Sequence, residues 1–502
     1  MKSIKLGFAV ALAGSAALAA CDDKRAAIAD AATVPAPGLA YVAPEVPTVV
    51  WDSAARQDAL LKGSAVMVKH ECTRCHAIDD LPAAARPLAC TGCHQFMQGL
   101  RPGDKTYDAL VDKWGKDVIA RYQRNIFHLQ KVPVLTGLGR RVRADYVAHF
   151  LEEPFDQRPM LGDSMIRHAL SAVEIRAVAR YFAAKAEAAD PWASDYVAPA
   201  LPPKPDDARL ARGGELFKTR ACPTCHTFGN VDLGVSKAAL VAGRAANLLA
   251  PNLRFVRDRT RPDAIVTWIM APSSLLKDTP MPSLGLSRDE AEAVRDYLYY
   301  ADPQLVAAPA PAPTRPVAIL ARPVPYAEMK ERVLGATCVH CHMNDYEKDT
   351  GPGNKGGLGY AGVGLRMRTY ETLVEGAIGA DGKRYSVLAP RPGETVAPII
   401  DVMLRRRAEE QRDHVEPFAD YERPHYPGDR PAMPMGLPSM SDEQISLLAT
   451  WIAQGCKGPA AVTGKPGTSD GYLVPDGPIA HNAGCGLRGP ESPRPSWAVD
   501  NK

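Results

Sequence analysis

One five-residue pattern occurs four times along this chain: Cys72-Thr-Arg-Cys75-His76, Cys90-Thr-Gly-Cys93-His94, Cys222-Pro-Thr-Cys225-His226 and Cys338-Val-His-Cys341-His342. Each copy puts two thiols and an imidazole on a few consecutive residues. Two sulfurs at that spacing can reach the two vinyl groups of one porphyrin while the next side chain reaches its iron, and C-x-x-C-H is the attachment pattern of c-type haem. With 11 Cys and 12 His in 502 residues, chance supplies roughly 0.006 matches. A structural zinc site needs further Cys or His ligands at its own spacing. The chain is therefore expected to carry four covalently attached haem c groups, on Cys72, Cys75, Cys90, Cys93, Cys222, Cys225, Cys338 and Cys341. His76, His94, His226 and His342 are the expected proximal iron ligands.

The rest of the composition sets milder bounds. The length allows several domains, and 46% hydrophobic with 23% charged residues can build ordinary cores. The net charge of +3, or +1 without Lys2 and Lys5, gives none of the basic excess of a nucleic-acid binder. The 45 prolines crowd between the cysteine motifs, which suggests beads on a string. Cys456 and Cys485 remain as an even pair in an oxidising compartment. They are expected to close the C-terminal tail as a disulfide, with two separate thiols as the alternative.

Residues 1–20 follow the signal-peptide pattern, with Lys2 and Lys5 ahead of the apolar run Leu6 to Leu18. That run is too short to span a bilayer as a mature helix. It ends in Leu18-Ala19-Ala20-Cys21, which resembles a bacterial lipobox. The resemblance implies cleavage before Cys21 and lipidation on it, with several acyl chains giving stable anchoring. Asp22 resembles an inner-membrane retention signal. Residues 21–50 then read as an Ala/Pro-rich tether.

Further Pro/Ala-rich breaks lie near Trp192 to Asp207 and Pro303 to Pro325, and read as extended spacers. The stretches between them share a plan. Each opens with a helical stretch leading into C-x-x-C-H and closes with a capped amphipathic helix, at Ser171-x-x-Glu174, Ser287-x-x-Glu290 and Ser441-x-x-Gln444. Three such boxes at corresponding places form an internal repeat.

This plan resembles the class I c-type cytochrome domain: N-terminal helix, C-x-x-C-H, irregular loops, distal methionine, C-terminal helix. The resemblance implies an all-α fold of three cytochrome c-like domains: a dihaem domain at 51–190, a monohaem domain at 206–303, and a monohaem domain with an insertion at 325–458, followed by a Gly/Pro-rich tail at 459–502. Pro251-Asn-Leu253 looks like the family's P-x-L element, whose proline lies beside the proximal histidine, and Met281-Pro282 looks like its distal methionine motif. Pro133-Val-Leu135 and Met165 correspond in the first segment. In the third, Met433 matches the Met-Pro motif, while Met435 keeps the six-residue offset to its cap at Ser441. The chain departs from the family through the inserted motif at Cys90 and through the glycine-rich run Gly351 to Gly364 and the charged stretch Asp401 to Tyr426. The glycine run lacks the Gly-Lys-Ser/Thr ending of a phosphate loop and reads as a loop packed near haem.

Thioether sulfur opposite the proximal imidazole favours Fe(II) and raises the potential. Met165, Met281 and Met433 are therefore the expected distal ligands, and an iron filled on both axial sides leaves no place for substrate. The inserted haem has no evident methionine. His128, which follows the amphipathic stretch Tyr107 to Phe127, is its expected ligand, with His70, His149 or an open site as alternatives. His168, His340, His414, His425 and His481 read as ordinary histidines. The functional expectation is a membrane-anchored, periplasm-facing tetrahaem cytochrome that relays single electrons. Its donor would be a quinol-oxidising complex or dehydrogenase, and its acceptor an oxidase or reductase. The alternatives are a haem enzyme of peroxidase or thiosulfate-oxidising type acting at an open inserted haem, or a haem subunit of a larger respiratory complex.

Overall fold

Local capping signals set the helix boundaries. The structure is a computed structural model that describes residues 51–85, 89–127, 129, 132–152, 154–161, 165–166, 168, 170–194, 201–235, 245–305, 317–335, 337–342, 364–379, 383–391, 394–415, 432–435 and 437–459. The expected leader, Cys21, the tether, His128 and Cys485 lie outside these residues. The described residues are 52% helical and 2% strand, in keeping with an all-α chain.

The first segment contains α1 (Ser53–Lys69), α2 (Cys90–Gly99), α3 (Lys105–Trp114), α4 (Lys116–Asn125), α5 (Ala144–Glu152) and α6 (Ala172–Lys185). Asp52 caps α1 by accepting from the Ala54 and Ala55 amides. Ser171 and Glu174 form both arms of the capping box of α6. The stretch Tyr107 to Phe127 is not one helix: Gly115, at φ 89°, separates α3 from α4, a backbone conformation that favours glycine.

In the second segment α7 (Asp207–Thr219), α8 (Ala245–Leu249), α9 (Val256–Arg259), α10 (Pro262–Met270), α11 (Pro272–Leu275) and α12 (Arg288–Tyr300) follow in order. The third holds α13 (Tyr326–Met329), which continues as a π-helical turn over Lys330–Leu334, then α14 (Tyr370–Val374), the antiparallel pair β1 (Ala377–Ile378) and β2 (Arg384–Tyr385), α15 (Pro398–Val415) and α16 (Asp442–Ala453). The expected boxes of α12 and α16 are both formed. The charged stretch from Asp401 is helical through Val415 and buries Met403 and Leu404 on the third core.

Opening and closing helices pack on each other, and the closest crossings need glycine. A Cβ on Gly63 would meet the Ala177 carbonyl at 2.6 Å and the Tyr181 Cβ, and one on Gly213 would meet the Ala293 carbonyl and come within 2.9 Å of the Tyr297 Cβ. Both glycines stand nine residues before the first motif cysteine of their segment. In the third segment that position is Met329, which is fully buried. There α16 is tied to the opening helix by polar bonds, Gln444 Nε2 to the Arg332 carbonyl at 2.8 Å and Arg332 to Glu443 at 2.6 Å.

Among the described residues, buried apolar side chains form four clusters. Three are built around α1/α6, α7/α12 and α13/α16, and a small fourth holds Cys93, Met97, Leu100, Tyr107, Ile119 and Ile126 of α2 to α4. Cys456 is buried in the third-segment cluster and is disulfide-bonded.

The first two segments are not separate beads. Val142 and Thr260 form an antiparallel bridge, flanked by Arg143 N–H to the Arg259 carbonyl at 2.9 Å and Arg261 N–H to the Arg141 carbonyl at 3.0 Å. Asn252 N–H donates to the Gln157 carbonyl at 2.8 Å, and Phe155 packs on Phe255 with ring centroids 5.1 Å apart. Linker composition reports the chain between segments and carries no information on whether their surfaces fit.

Candidate functional site

Three of the four motifs are built alike. Cys72–Arg74, Cys222–Thr224 and Cys338–His340 each form a single 3-10 turn, and the histidine amide closes back on the first cysteine carbonyl at 3.0 Å in all three. Glu71 and Ala221 precede the first two turns with φ of 53° and 61°, reversing the chain after α1 and α7. The turn brings the two thiols and the imidazole onto one short arc.

A distant backbone carbonyl orients each of these imidazoles. His76 Nδ1 donates to the Pro133 carbonyl at 2.9 Å, His226 Nδ1 to the Pro251 carbonyl at 2.8 Å, and His342 Nδ1 to the Leu365 carbonyl at 3.0 Å. Donation from Nδ1 puts the lone pair on Nε2, the nitrogen then able to ligate a metal. Burial lowers the pKa of His76 and His226, only partly offset by the carbonyl bond, so both rings are neutral. The accepting loops are pinned in turn: Leu135 N–H bonds the Ala77 carbonyl and Leu253 N–H the Thr227 carbonyl, both at 2.9 Å, and Met367 N–H bonds the His342 carbonyl at 2.8 Å. The two prolines are those of the P-x-L elements. Leu365-Arg366-Met367 plays the same part without a proline and was not legible in the sequence, because a carbonyl can come from any residue.

All four motif histidines line one cavity of about 1180 Å³, together with every motif cysteine except Cys93. Pockets for single small ligands run about 300–1,000 Å³, so this space exceeds one such site. Its walls are mostly apolar, with Ile78, Leu135 and Phe182 from the first segment, Ile265 and Leu298 from the second, and Leu365, Val387 and Ile399 from the third. Burial pushes the Cys72 and Cys222 thiols up to about 11 and Cys338 to about 12, so these sulfurs are protonated at neutral pH. No three His, Cys, Asp or Glu side chains converge as a metal-ligand set among the described residues.

Met165, Met281, Met433 and Met435 all line the cavity, so the pair Met433 and Met435 stays undivided. The Met433 amide donates to the Val402 carbonyl of α15 at 2.9 Å, which ties this wall to the inserted helix. His168 lines the cavity too, although its sequence context marks it as ordinary. Burial, His70 and His76 together lower its pKa to about 4.

The inserted motif is framed differently. Cys90 is the first residue of α2, so the motif occupies the first turns of a regular helix, and Ala89 at its N-cap makes no side-chain cap bond. His94 is buried and lines the cavity, while Cys93 packs in the small α2–α4 cluster. Of the three histidines weighed as its partner, His128 lies outside the described residues. His70 is buried with Nε2 3.3 Å from Glu174 Oε1, and His149 packs beside Tyr146 with ring centroids 6.3 Å apart. The cavity lining includes neither His70 nor His149.

Comparison with protein-family models, curated proteins and solved structures found no match to this chain.

Proposed function

We propose that this chain is a membrane-anchored tetrahaem c-type cytochrome that relays single electrons in a bacterial periplasmic respiratory chain. The observation that carries the reading is the convergence of four C-x-x-C-H motifs on one apolar cavity, three of them with the histidine Nδ1 held by a backbone carbonyl. That donor set suits haem c: paired thiols for two thioether bonds, a neutral imidazole with its lone pair on Nε2, and apolar walls for flat macrocycles. Haem supplies the one-electron chemistry when bound, and the protein's part is to bind, orient and limit access. The chain's residues would do this by fixing the imidazole tautomer and by offering Met165, Met281 and Met433 or Met435, which line the same cavity, as further iron ligands.

Three cytochrome c-like domains at 51–190, 206–303 and 325–458, the first carrying two haems, fit the three clusters built on paired opening and closing helices and the fourth around α2 to α4. Cys21 would carry the lipid anchor. The donor would be a quinol-oxidising complex or dehydrogenase, and the acceptor an oxidase or reductase. A second reading, catalysis at the His94 iron, is favoured by one observation: of the described histidines weighed as its partner, neither enters the cavity.

The test is stoichiometry and redox behaviour of the protein from membranes. A pyridine haemochrome assay should give four haems per chain, with reversible one-electron waves. Fewer than four removes the tetrahaem reading. Carbon monoxide binding with turnover of peroxide or thiosulfate would replace relay by catalysis. Cys21→Ala should move the protein from the membrane to the soluble fraction.

A further inference from the structure

Four arginines crowd the bridge that joins the first two segments. Arg141 and Arg143 flank Val142, and Arg259 and Arg261 flank its partner Thr260. Two of the four are neutralised locally, Arg143 by Asp145 at 2.5 Å and Arg261 by Asp263 at 3.5 Å. Arg158, on the cavity wall, pairs with Asp156. Arg141 and Arg259 have no carboxylate partner among the described residues, and they are the two of the four that line the cavity. Arg141 Nε is buried with no hydrogen-bond partner among the described residues. Its Nη2 donates to the Val134 carbonyl at 3.3 Å, and its guanidinium lies 5.7 Å from the Trp268 ring of α10. Arg259 Nη1 donates to Gln157 Oε1 at 2.9 Å. Two of the loops that hold the imidazoles end on this seam. Val134 follows Pro133, which holds His76, and Asn252, bonded through its amide to Gln157, follows Pro251, which holds His226.

We propose that Arg141 and Arg259 form an anion site across the junction of the first and second segments, and that the site takes carboxylates. On the tetrahaem reading, on which this source rests, the carboxylates are those of the haem groups attached at Cys72 and Cys222. A free oxyanion such as phosphate presents the same kind of oxygen edge. The guanidinium fork suits either, because its parallel N–H groups match a carboxylate or phosphate edge. A buried charge left without a counter-charge is costly, and here two of like sign stand on one cavity wall. Burial and Arg259 lower the pKa of Arg141 to about 10, and burial lowers that of Arg259. A bound anion offsets both effects. The aspartate-paired arginines carry their own counter-charge, whereas these two depend on a partner from outside the described chain. A carboxylate seated between them touches one residue of each segment, so filling the site fastens the two segments at the seam.

The experiment is resonance Raman spectroscopy of the purified full-length holoprotein, read in the haem-propionate bending band, which moves with hydrogen bonding to the carboxylates. Arg141→Gln with Arg259→Gln should shift that band to lower frequency in part of the haem population, with the haemochrome count unchanged. Arg141→Lys with Arg259→Lys should restore part of the shift. Should the double variant fail to fold, Arg141→Gln alone carries the readout, because the bond it removes is to the exposed residue Val134. A second arm adds inorganic phosphate to the wild type and to the variant and follows thermal unfolding. A band shift assigns the site to haem carboxylates. An unmoved band, with a phosphate-dependent rise in Tm in the wild type that the variant lacks, assigns it to a free oxyanion. An unmoved band with no such difference in Tm overturns the proposal. A wild-type haemochrome count below four defeats the tetrahaem reading by itself, and the phosphate arm then decides the anion site.

Discussion

The motifs at Cys222 and Cys90 share one spacing and sit in opposite surroundings. Around Cys222 everything is prepared from outside the motif. A capped helix precedes it, Ala221 reverses the chain, Pro251 holds the imidazole, and α12 closes over α7. Around Cys90 the motif begins its own helix, with an uncapped first turn and only the short α3 and α4 for support. The difference separates two jobs that one signature suggests together. On the tetrahaem reading, the five residues would specify attachment, while orientation of the imidazole comes from segments far along the chain. An inserted motif would then gain a haem without gaining that frame.

The largest expected effect compares attachment in the two places. Cys222→Ala with Cys225→Ala, and Cys90→Ala with Cys93→Ala, should each lower the haemochrome count from four to three. The first pair should also expose residues 206–303 to proteolysis, because that core closes around its cavity wall. The second should leave α7 and α12 protected. Equal loss of protection in both would erase the contrast.

Helix packing supplies the next effect. Gly213→Ala places a methyl against the Ala293 carbonyl, a backbone atom that cannot step aside. Overpacking of this kind costs about 1–3 kcal/mol, and the upper end is expected here. The readout is urea unfolding of the second segment followed by hydrogen exchange in α12. A cost below about 0.5 kcal/mol would show that the crossing yields more readily than a packed core should.

The α6 cap tests the better-framed side by pH. Burial works against the Glu174 carboxylate, but Lys69, the Ser171 cap and His70 hold its pKa down at about 2, below its ordinary 4.5. A carboxylate depressed in the folded state contributes stability that is complete above its unfolded pKa and is lost as pH falls through its folded pKa. Glu174→Gln keeps a capping amide and loses the charge, so it should destabilise α6 by about 0.5 kcal/mol at pH 7. The gap between variant and wild type should close as pH falls from about 4.5 to about 2. A gap that persists at pH 2 would assign the effect to packing.

What the sequence made legible followed locality. The four motifs, the three capping boxes and the two prolines whose carbonyls hold His76 and His226 are short-range patterns; the boxes are formed and the two carbonyls bond their imidazoles. Leu365, the third such carbonyl, was illegible because a backbone acceptor leaves no mark on residue type. The bridge between Val142 and Thr260 and the gathering of all four motif histidines on one cavity depend on how surfaces pack over long separations. His168 shows the same limit: nothing beside it in sequence marks a cavity wall.

The smallest effect sharpens the comparison from the poorly framed side. Gly92 lies in the motif at Cys90, in the first turn of α2, and among the described residues a Cβ there would meet the Ala89 Cβ at 3.4 Å, an ordinary contact. Glycine in a helix costs roughly 0.5–1 kcal/mol relative to alanine, through the freedom it has in the unfolded chain, and less of this applies at a helix end. Gly92→Ala should therefore stabilise α2 by about 0.5 kcal/mol, where Gly213→Ala destabilises α7, and the haem count should remain four. Slower amide exchange in Cys93 to Gly99 is the measurement. A helix loosened by Gly92→Ala would mean that something presses on that glycine after all, and that the inserted motif is framed more tightly than its uncapped first turn implies.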